Sequence, residues 1–309
     1  MSRIGKHILG LKDMPKEYID IILEESKTMK KLIQKPVKKS SVLRGKVVIN
    51  MFFEASTRTR SSFELAGKYL GADVINIGAD NSSIVKGETL LDTAHTIEQM
   101  GTDVLILRHK ASGAPFFLAE HLDCSVINAG DGMHEHPTQA LLDLFTIKER
   151  IGSVAGKKVV ILGDIAHSRV ARSNIYAMKK YGAEVTLCAP RTMMPVYAED
   201  WGVNITYDTD QAVKDAAVIN VLRLQGERQE KGLLPTLREY HTFWGMDQRR
   251  LKMAQSDVVV LHPGPMNRGV EIASNVADSS HSTVSEQVTN GVAVRMALLD
   301  LLAGGEDDE

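Results

Sequence analysis

One stretch decides the fold of this chain: residues 51–60, with the sequence Met-Phe-Phe-Glu-Ala-Ser-Thr-Arg-Thr-Arg. The apolar run over residues 46–53 predicts a buried strand, and the apolar spacing over residues 61–70 predicts a helix. The hydroxyl and guanidinium groups between them therefore lie at a strand-to-helix turn, where free backbone N–H groups and the helix dipole favour an anion. The bland alternative is a helix cap with solvated arginines, but a cap needs one hydroxyl and this stretch has three.

The remaining chain alternates apolar strands with helices in two series. Strands are predicted at residues 73–77, 103–107, 125–128, 158–162, 184–188, 204–207, 218–221 and 257–261. Helices are predicted at residues 15–33, 88–100, 115–121, 137–150, 169–181, 210–215, 246–255 and 283–302, and residues 224–240 are predicted to be a loop. Continuous apolar strands between helices are typical of parallel sheets covered on both faces.

The fold class is therefore α/β, with two domains, each a parallel sheet flanked by helices. A length of 309 residues suits two domains. The first domain is predicted over residues 1–150 and the second over residues 151–282. The C-terminal helix, residues 283–302, is expected to return and pack on the first domain.

Composition excludes several classes of protein. A net charge of -2 and a pI near 6.6 argue against a nucleic-acid or membrane-surface binder. The chain has no signal-peptide apolar region at its start and no apolar run near the ~20 residues that span a bilayer. Cys124 and Cys188 lie in separate apolar contexts, which favours buried, reduced thiols. We therefore expect a cytoplasmic location.

Polar and cationic side chains follow the predicted strands. Ligands of open parallel sheets bind at the carboxyl ends of the strands, so these residues are candidates for one cleft. Cations at several strand ends favour a substrate with several negative charges. The candidates are Ser56, Thr57, Arg58, Thr59, Arg108, His136, Gln139, Arg169, Arg223, Gln225 and residues 262–268.

No cofactor or metal is predicted. Residues 152–158 are one residue short of a P-loop and lack the hydroxyl after lysine. The strand at residues 158–162 is not followed by G-x-G-x-x-G, which disfavours a nicotinamide-dependent oxidoreductase. His134-Glu135-His136 lacks the helical spacing of metal-binding histidines and a supporting cysteine or acidic cluster.

Two motifs together resemble the carbamoyltransferase family: Ser-Thr-Arg-Thr-Arg at residues 56–60 and His-Pro-Thr-Gln at residues 136–139. Residues 82–89 and 262–269 are similar to the aspartate-specific branch of that family. Ornithine-specific members have His-Cys-Leu-Pro where this chain has His-Pro-Gly-Pro at residues 262–265, and their Asp plus Ser-Met-Gly signature is not found. The resemblance covers essentially the whole chain.

The resemblance implies a reaction without metal or cofactor. The carbamoyl group of carbamoyl phosphate passes to the amino group of L-aspartate through a tetrahedral intermediate, giving N-carbamoyl-L-aspartate and phosphate in an early step of de novo pyrimidine biosynthesis. Two alternatives stay open, an ornithine or other carbamoyltransferase and a non-catalytic scaffold of the same fold. The proton acceptor also stays open, between Lys86 and the phosphate of the substrate.

The resemblance also implies roles for individual residues. The phosphate is cradled by Ser56, Thr57, Arg58 and Thr59, with Arg108 as a further cation. The carbamoyl oxygen receives hydrogen bonds from Thr59 and His136, and its amino group is fixed by Gln139 and the backbone at Pro263 and Gly264. The carboxylates of aspartate are held by Arg169, Arg223 and Gln225.

Further implications concern assembly and closure. Ser82 and Lys86 are expected to reach the site of a neighbouring subunit, which implies a homotrimer with shared active sites. Glu54 is expected to pair with Arg169 and Arg228 when the domains close. Three of these residues also have a purely structural interpretation. Lys86 would then be a loop lysine without a role in the site, His136 a histidine at a helix start, and Arg169 the partner of a surface acid. Association with a regulatory chain or a dihydroorotase stays open.

Overall fold

The computed structural model describes residues 4–78, 87–225, 233–234 and 236–304. The chain divides into two compact units: unit 1 comprises Met1–Leu142 and Val288–Glu309, and unit 2 comprises Asp143–Gln287. Each unit contains one all-parallel sheet flanked by helices, so the predicted fold class is confirmed. The assignment of functional domains to residues 1–150 and 151–282 stays a prediction.

The sheet of unit 1 has four strands in the order β2-β1-β3-β4. They are β1 (Val47–Phe52), β2 (Asp73–Gly78), β3 (Val104–His109) and β4 (Ser125–Asp131). The order reverses between β1 and β3, which creates the crevice at the carboxyl ends where parallel sheets bind ligands. Phe52 lies opposite Arg108 in the register, so the residues that follow β1 start beside the end of β3.

The helices that begin in unit 1 are α1 (Lys16–Ile33), α2 (Thr57–Leu70), α3 (Leu90–Glu98), α4 (Ala114–Ala119) and α5 (Pro137–Ile151). The predicted start of α2 at residue 61 was wrong by four residues. Ser56 is the N-cap residue, and its carbonyl oxygen accepts the first helical hydrogen bond from Arg60 N at 3.1 Å. The hydroxyls and arginines that were assigned to a turn therefore form the first turn of the helix itself.

Unit 2 contains a five-stranded sheet in the order β7-β6-β5-β8-β9. Its strands are β5 (Lys158–Leu162), β6 (Glu184–Cys188), β7 (Asn204–Thr206), β8 (Val218–Val221) and β9 (Val259–Leu261). Its helices are α6 (Arg169–Lys180), α7 (Thr209–Val213), α8 (Leu237–Trp244), α9 (Gln248–Leu251) and α10 (Ser274–Ala277). Here the order reverses between β5 and β8, which creates a second crevice of the same kind.

The C-terminal helix, α11 (Val284–Ala303), packs on α2 and α5 in unit 1. The guanidinium of Arg295 lies 5.0 Å from the ring centroid of Phe63, and its Nη2 is 3.4 Å from Thr138 Oγ1. Gly291 allows close approach, since a Cβ added there would be 3.2 Å from Leu142. The predicted return of the C-terminal helix to the first domain is thus confirmed.

Other boundaries differ from the sequence prediction. The last four residues of the loop predicted over 224–240 instead begin α8, in which Tyr240 is fully buried and its ring lies 6.1 Å from that of Trp244. The helix predicted over residues 246–255 is shortened to the four residues of α9. Strand β4 continues to Asp131, three residues beyond the predicted end at residue 128.

Two expectations drawn from the sequence concern the cysteines and the helices. Cys124 and Cys188 are free and buried, and burial raises the pKa of Cys124 to about 12 and that of Cys188 to about 11. Thiols with such pKa values are inert at neutral pH. None of the helices in the described part of the chain has the length and apolar character needed to cross a membrane.

Candidate active site

The first turn of α2 presents the residues of the predicted phosphate cradle. Ser56 makes no side-chain capping hydrogen bond, and the turn contains no acidic residue. Thr57 and Arg58 are exposed, whereas Thr59 is buried and its carbonyl oxygen accepts from Ser62 Oγ at 3.0 Å. The backbone N–H groups and the dipole at the start of a helix favour an anion, and this first turn has neither a side-chain cap nor an acid to compete with one.

Arg108 is held at the end of β3 by contacts to two neighbouring strands. Its Nη1 donates to Ala129 O at 3.3 Å, and its backbone oxygen accepts from Phe53 N at 2.9 Å. Its Nε lies 3.6 Å from Glu54 Oε2, and both side chains are mostly buried. The carboxylate thus orients the guanidinium beside the start of α2. The sequence did not reveal this ion pair, because Glu54 follows β1 whereas Arg108 lies in β3, distant in the chain.

The partners predicted for Glu54 were Arg169 and Arg228. Arg228 lies outside the described residues, as do Ser82 and Lys86. Within unit 1, Arg108 lies near Glu54. Pairing of Glu54 with Arg169 and Arg228 therefore stays a prediction.

Asp131 organises the turn that leads to His136. Its two carboxylate oxygens accept from Gly113 N at 2.7 Å, Asn128 Nδ2 at 2.8 Å and Glu135 N at 3.1 Å, and Oδ2 lies 3.1 Å from His134 Nδ1. Burial alone would raise the pKa of Asp131, but these hydrogen bonds hold it below its ordinary value. His134 is consequently part of the support of this turn.

His136 lies at the residue before α5, as its proline-containing motif predicts. Its carbonyl oxygen accepts from Gln139 N at 3.0 Å and Ala140 N at 3.3 Å. The side chains of His136 and Gln139 are both buried. The motif thus places an imidazole and an amide on the first turn of one helix, next to the carboxyl end of β4.

Unit 2 places its candidate arginines at the ends of β5 and β8. Ser168 caps α6 by accepting from Ala171 N at 3.1 Å, and Arg169, the first residue of that helix, is almost completely buried. Arg223 and Gln225 follow β8 and are partly exposed. The residues predicted to hold aspartate therefore flank the crevice between β5 and β8.

The loop after β9 carries Pro263 and Gly264, both partly exposed. Gly264 has a φ of +60° and is followed by a cis bond to Pro265. A residue with a side chain would be strained in this left-handed conformation, which explains the glycine. The loop presents backbone carbonyl groups at the carboxyl edge of the sheet of unit 2.

Each unit thus carries half of the predicted site. Unit 1 contributes Ser56, Thr57, Arg58, Thr59, Arg108, His136 and Gln139, and unit 2 contributes Arg169, Arg223, Gln225, Pro263 and Gly264. In the described ranges no group of three or more His, Cys, Asp and Glu side chains is arranged to hold a metal ion. The prediction that no metal is used stays a prediction.

Family models match both halves of the chain. Residues 6–149 match the aspartate/ornithine carbamoyltransferase carbamoyl-P binding domain, and residues 155–302 match the Asp/Orn binding domain. The chain belongs to the aspartate/ornithine carbamoyltransferase family. The resemblance seen in the two motifs is thereby confirmed.

Curated members of the family match the chain over nearly its full length. It is 57% identical over 300 residues to the aspartate carbamoyltransferase catalytic subunit of Heliobacterium modesticaldum, covering 97% of this chain and 96% of the relative. It is also 57% identical to the catalytic subunit of Moorella thermoacetica, covering 97% of this chain and 98% of the relative.

Solved structures of family members share the fold. The aspartate transcarbamoylase of Trypanosoma cruzi in complex with N-(phosphonacetyl)-L-aspartic acid superposes with a TM-score of 0.88 at 29% identity, covering 99% of this chain and 98% of that chain. Ornithine carbamoyltransferase from Pyrococcus furiosus superposes with a TM-score of 0.87 at 32% identity, covering 99% and 100% of the two chains. The fold alone therefore does not separate the two branches of the family.

Replacing Asp131 with asparagine is expected to lower the free energy of unfolding by about 2 kcal/mol at pH 7. The amide nitrogen would face donors that now bind a carboxylate oxygen. Since folding lowers the pKa of Asp131, its contribution is present above the ordinary pKa and is lost as pH falls through the folded pKa. Urea unfolding of both proteins should show a difference that shrinks progressively as pH falls below about 5.

Asp278→Asn is the control, because Asp278 is an exposed carboxylate whose pKa is lowered by its hydrogen bonds to Arg268. It should change stability little, since exposed ion pairs contribute little. An Asp131→Asn variant as stable as wild type at pH 7 would contradict the assigned network.

Proposed function

We propose that this chain transfers the carbamoyl group of carbamoyl phosphate to the amino group of L-aspartate, giving N-carbamoyl-L-aspartate and phosphate. The observation that carries the proposal is the cationic, uncapped first turn of α2 in a chain whose relatives are aspartate carbamoyltransferase catalytic subunits over nearly full length. The reaction is an early step of de novo pyrimidine biosynthesis and needs no cofactor.

The phosphate of carbamoyl phosphate binds at the first turn of α2. Ser56, Thr57 and Thr59 supply hydroxyl and backbone donors, and Arg58 supplies a planar fork that matches phosphate oxygens. Arg108 adds a second guanidinium, which Glu54 already orients in unit 1. Two cations and several N–H groups stabilise the dianionic phosphate as it leaves.

The carbamoyl group is polarised by donors that meet its oxygen. His136 and Thr59 donate to this oxygen, which gains negative charge in the tetrahedral intermediate. Gln139 and the backbone carbonyls at Pro263 and Gly264 accept from its amino group. These groups are fixed by a helix start and a left-handed loop, so little reorganisation accompanies the reaction.

Aspartate is held by Arg169, Arg223 and Gln225 of unit 2, with Lys86 as a further cation. Two arginines suit a substrate with two carboxylates, because each can form a bidentate pair. The cationic side chain of ornithine would be repelled by the same arginines, which favours aspartate. Structures of the T. cruzi aspartate transcarbamoylase with carbamoyl phosphate and aspartate support both substrates as ligands of such a fold.

The proposal extends to assembly and location. Residues 1–150 bind carbamoyl phosphate and residues 151–282 bind aspartate, and Glu54 pairs with Arg169 and Arg228 on closure. The chain forms a homotrimer in the cytoplasm, in which Ser82 and Lys86 complete the site of a neighbouring subunit. A regulatory chain or a dihydroorotase are its candidate partners, and nucleic acid and membranes are not.

The substrate assignment is tested by incubating the protein with carbamoyl phosphate and either L-aspartate or L-ornithine. With aspartate, we expect formation of N-carbamoyl-L-aspartate and release of phosphate, and with ornithine we expect no reaction. Carbamoylation of ornithine instead would overturn the substrate assignment. A protein that binds N-(phosphonacetyl)-L-aspartic acid but carbamoylates neither amine would be a non-catalytic scaffold.

The division of labour between the half-sites predicts two different kinetic defects. Arg58→Ala should lower kcat about 100-fold or more, because it removes a cation from the departing phosphate. Arg223→Lys should mainly raise the KM for aspartate, since lysine keeps the charge but loses the bidentate fork. Arg249→Ala is the control, as this exposed arginine pairs with Asp210 on the surface of unit 2. Equal effects of Arg58→Ala and Arg223→Lys on both parameters would argue against the division.

Shared active sites predict complementation between two inactive variants. Subunits carrying Arg58→Ala and subunits carrying Lys86→Ala are dissociated, mixed and reassembled. Hybrid trimers should regain part of the wild-type activity, because some sites then combine an intact Arg58 with an intact Lys86 from the neighbour. Each variant reassembled alone is the control. Hybrids as inactive as the parents would place Lys86 in the site of its own subunit.

A further inference from the structure

The loop that follows β9 is held by a buried histidine and a buried glutamate. His262 and Glu271 are both almost fully buried, and His262 Nε2 lies 3.1 Å from Glu271 Oε1. Gly264 N donates to His262 Nδ1 at 2.8 Å, and Asn267 N donates to Glu271 Oε1 at 2.6 Å. Both backbone donors belong to the loop between the two side chains, so the pair determines the path of that loop.

The hydrogen bonds assign the tautomer of His262. Since Gly264 N–H donates to Nδ1, this nitrogen is the acceptor and the ring proton lies on Nε2. Nε2–H then donates to Glu271 Oε1. The imidazole therefore connects the backbone N–H of Gly264 to a carboxylate, and neither contact could be made with the opposite tautomer.

A chain of buried hydrogen bonds anchors His262 to the helices of unit 2. His262 N donates to Gln287 Oε1 at 3.0 Å, and Gln287 Nε2 donates to Asp143 Oδ1 at 2.7 Å. Asp143 Oδ2 accepts from Asn174 Nδ2 at 2.9 Å. Asn174 lies on α6, the helix that begins at Arg169. The loop after β9 and one candidate aspartate-binding arginine thus share a buried framework.

The same loop reaches the other aspartate-binding residues. Asn267, whose backbone N–H is fixed by Glu271, donates from Nδ2 to Leu224 O at 3.4 Å. Leu224 separates Arg223 from Gln225. Glu271 is therefore connected through Asn267 to the segment that carries these two side chains.

We propose that Glu271 is a positioning residue of the reaction. Together with His262 it fixes the backbone at Pro263 and Gly264, which receives the carbamoyl amino group, and it supports the segment over residues 223–225, which binds aspartate. This inference rests on the proposed function. Glu271 contacts neither substrate and acts through the loop that it holds.

Stability alone does not account for this carboxylate. Glu271 Oε2 is buried and accepts no hydrogen bond from the described residues. A buried polar atom without a partner costs about 1–3 kcal/mol, and a buried ion pair is often no more stabilising than an apolar replacement. The carboxylate does, however, receive one backbone N–H and one imidazole N–H of the same loop, which is what a positioning role requires.

Two variants test the inference. Glu271→Gln keeps the size of the side chain and one acceptor oxygen but removes the charge. His262→Asn keeps an acceptor for Gly264 N–H, because asparagine can accept from the backbone two residues on, but loses the donor to Glu271. Asp210→Asn is the control, since Asp210 also accepts a hydrogen bond from a buried side chain of unit 2, Arg250, but lies on α7, away from the loop after β9.

Each test variant should lower kcat/KM about 10-fold, the loss expected for a charge-assisted hydrogen bond. The KM for carbamoyl phosphate and the KM for aspartate should both rise. Competitive inhibition by inorganic phosphate should not change, because the phosphate cradle lies on α2 in unit 1. Amide hydrogen exchange in residues 261–272 should accelerate in both variants and not in Asp210→Asn. The double variant should cost less than the sum of the single ones, since both remove the same contact.

A merely structural role would lower the free energy of unfolding and accelerate exchange in residues 261–272 while leaving kcat and both KM values as in wild type, and that result would overturn the inference. If Glu271→Gln does not fold, His262→Asn and its KM values decide the question. Failure of the proposed function is seen separately, as a wild-type protein that does not carbamoylate aspartate. Wild-type kinetics in variants of an active enzyme would refute the positioning role alone.

Discussion

The parallel direction of every strand is the constraint on which the rest of the structure depends. In a parallel sheet all carboxyl ends lie at one edge, and a crevice opens where the strand order reverses. That reversal falls between β1 and β3 in unit 1 and between β5 and β8 in unit 2. The residues that follow these four strands therefore meet in pairs, which places Arg108 beside the start of α2, and Arg169 and Arg223 at the second crevice.

Acidic side chains fix the positions of the residues that line these two cationic crevices. Glu54 orients Arg108, Asp131 gathers the turn before His136, and Glu271 holds the loop after β9. Each lies in the interior or partly so, where hydrogen bonds or an opposite charge offset part of the cost of burying a carboxylate. The acids thus fix the positions of groups that are proposed to bind the anionic substrates.

The structural features that depend only on residues close together in the sequence could be predicted. The buried strands were found because apolar runs need no partner to be recognised, and the His-Pro-Thr-Gln motif placed His136 correctly at a helix start. The early start of α2 was missed because its first turn is polar and carries no apolar period. The helix α8 was missed because burial of Tyr240 and contact with Trp244 depend on residues distant in the sequence.

The sequence by itself determined the α/β class, the family and the residue types at the strand ends, because these follow from hydrophobic periodicity and short motifs. Only the tertiary structure decided which carboxylate side chain contacts which arginine or histidine. Glu54 and Arg108 are 54 residues apart in the sequence, yet Glu54 Oε2 lies 3.6 Å from Arg108 Nε. Likewise, His262 contacts Glu271 and Gln287 in one buried hydrogen-bond network. Such contacts depend on the order and register of strands, which hydrogen bonding between distant segments fixes and no local pattern encodes.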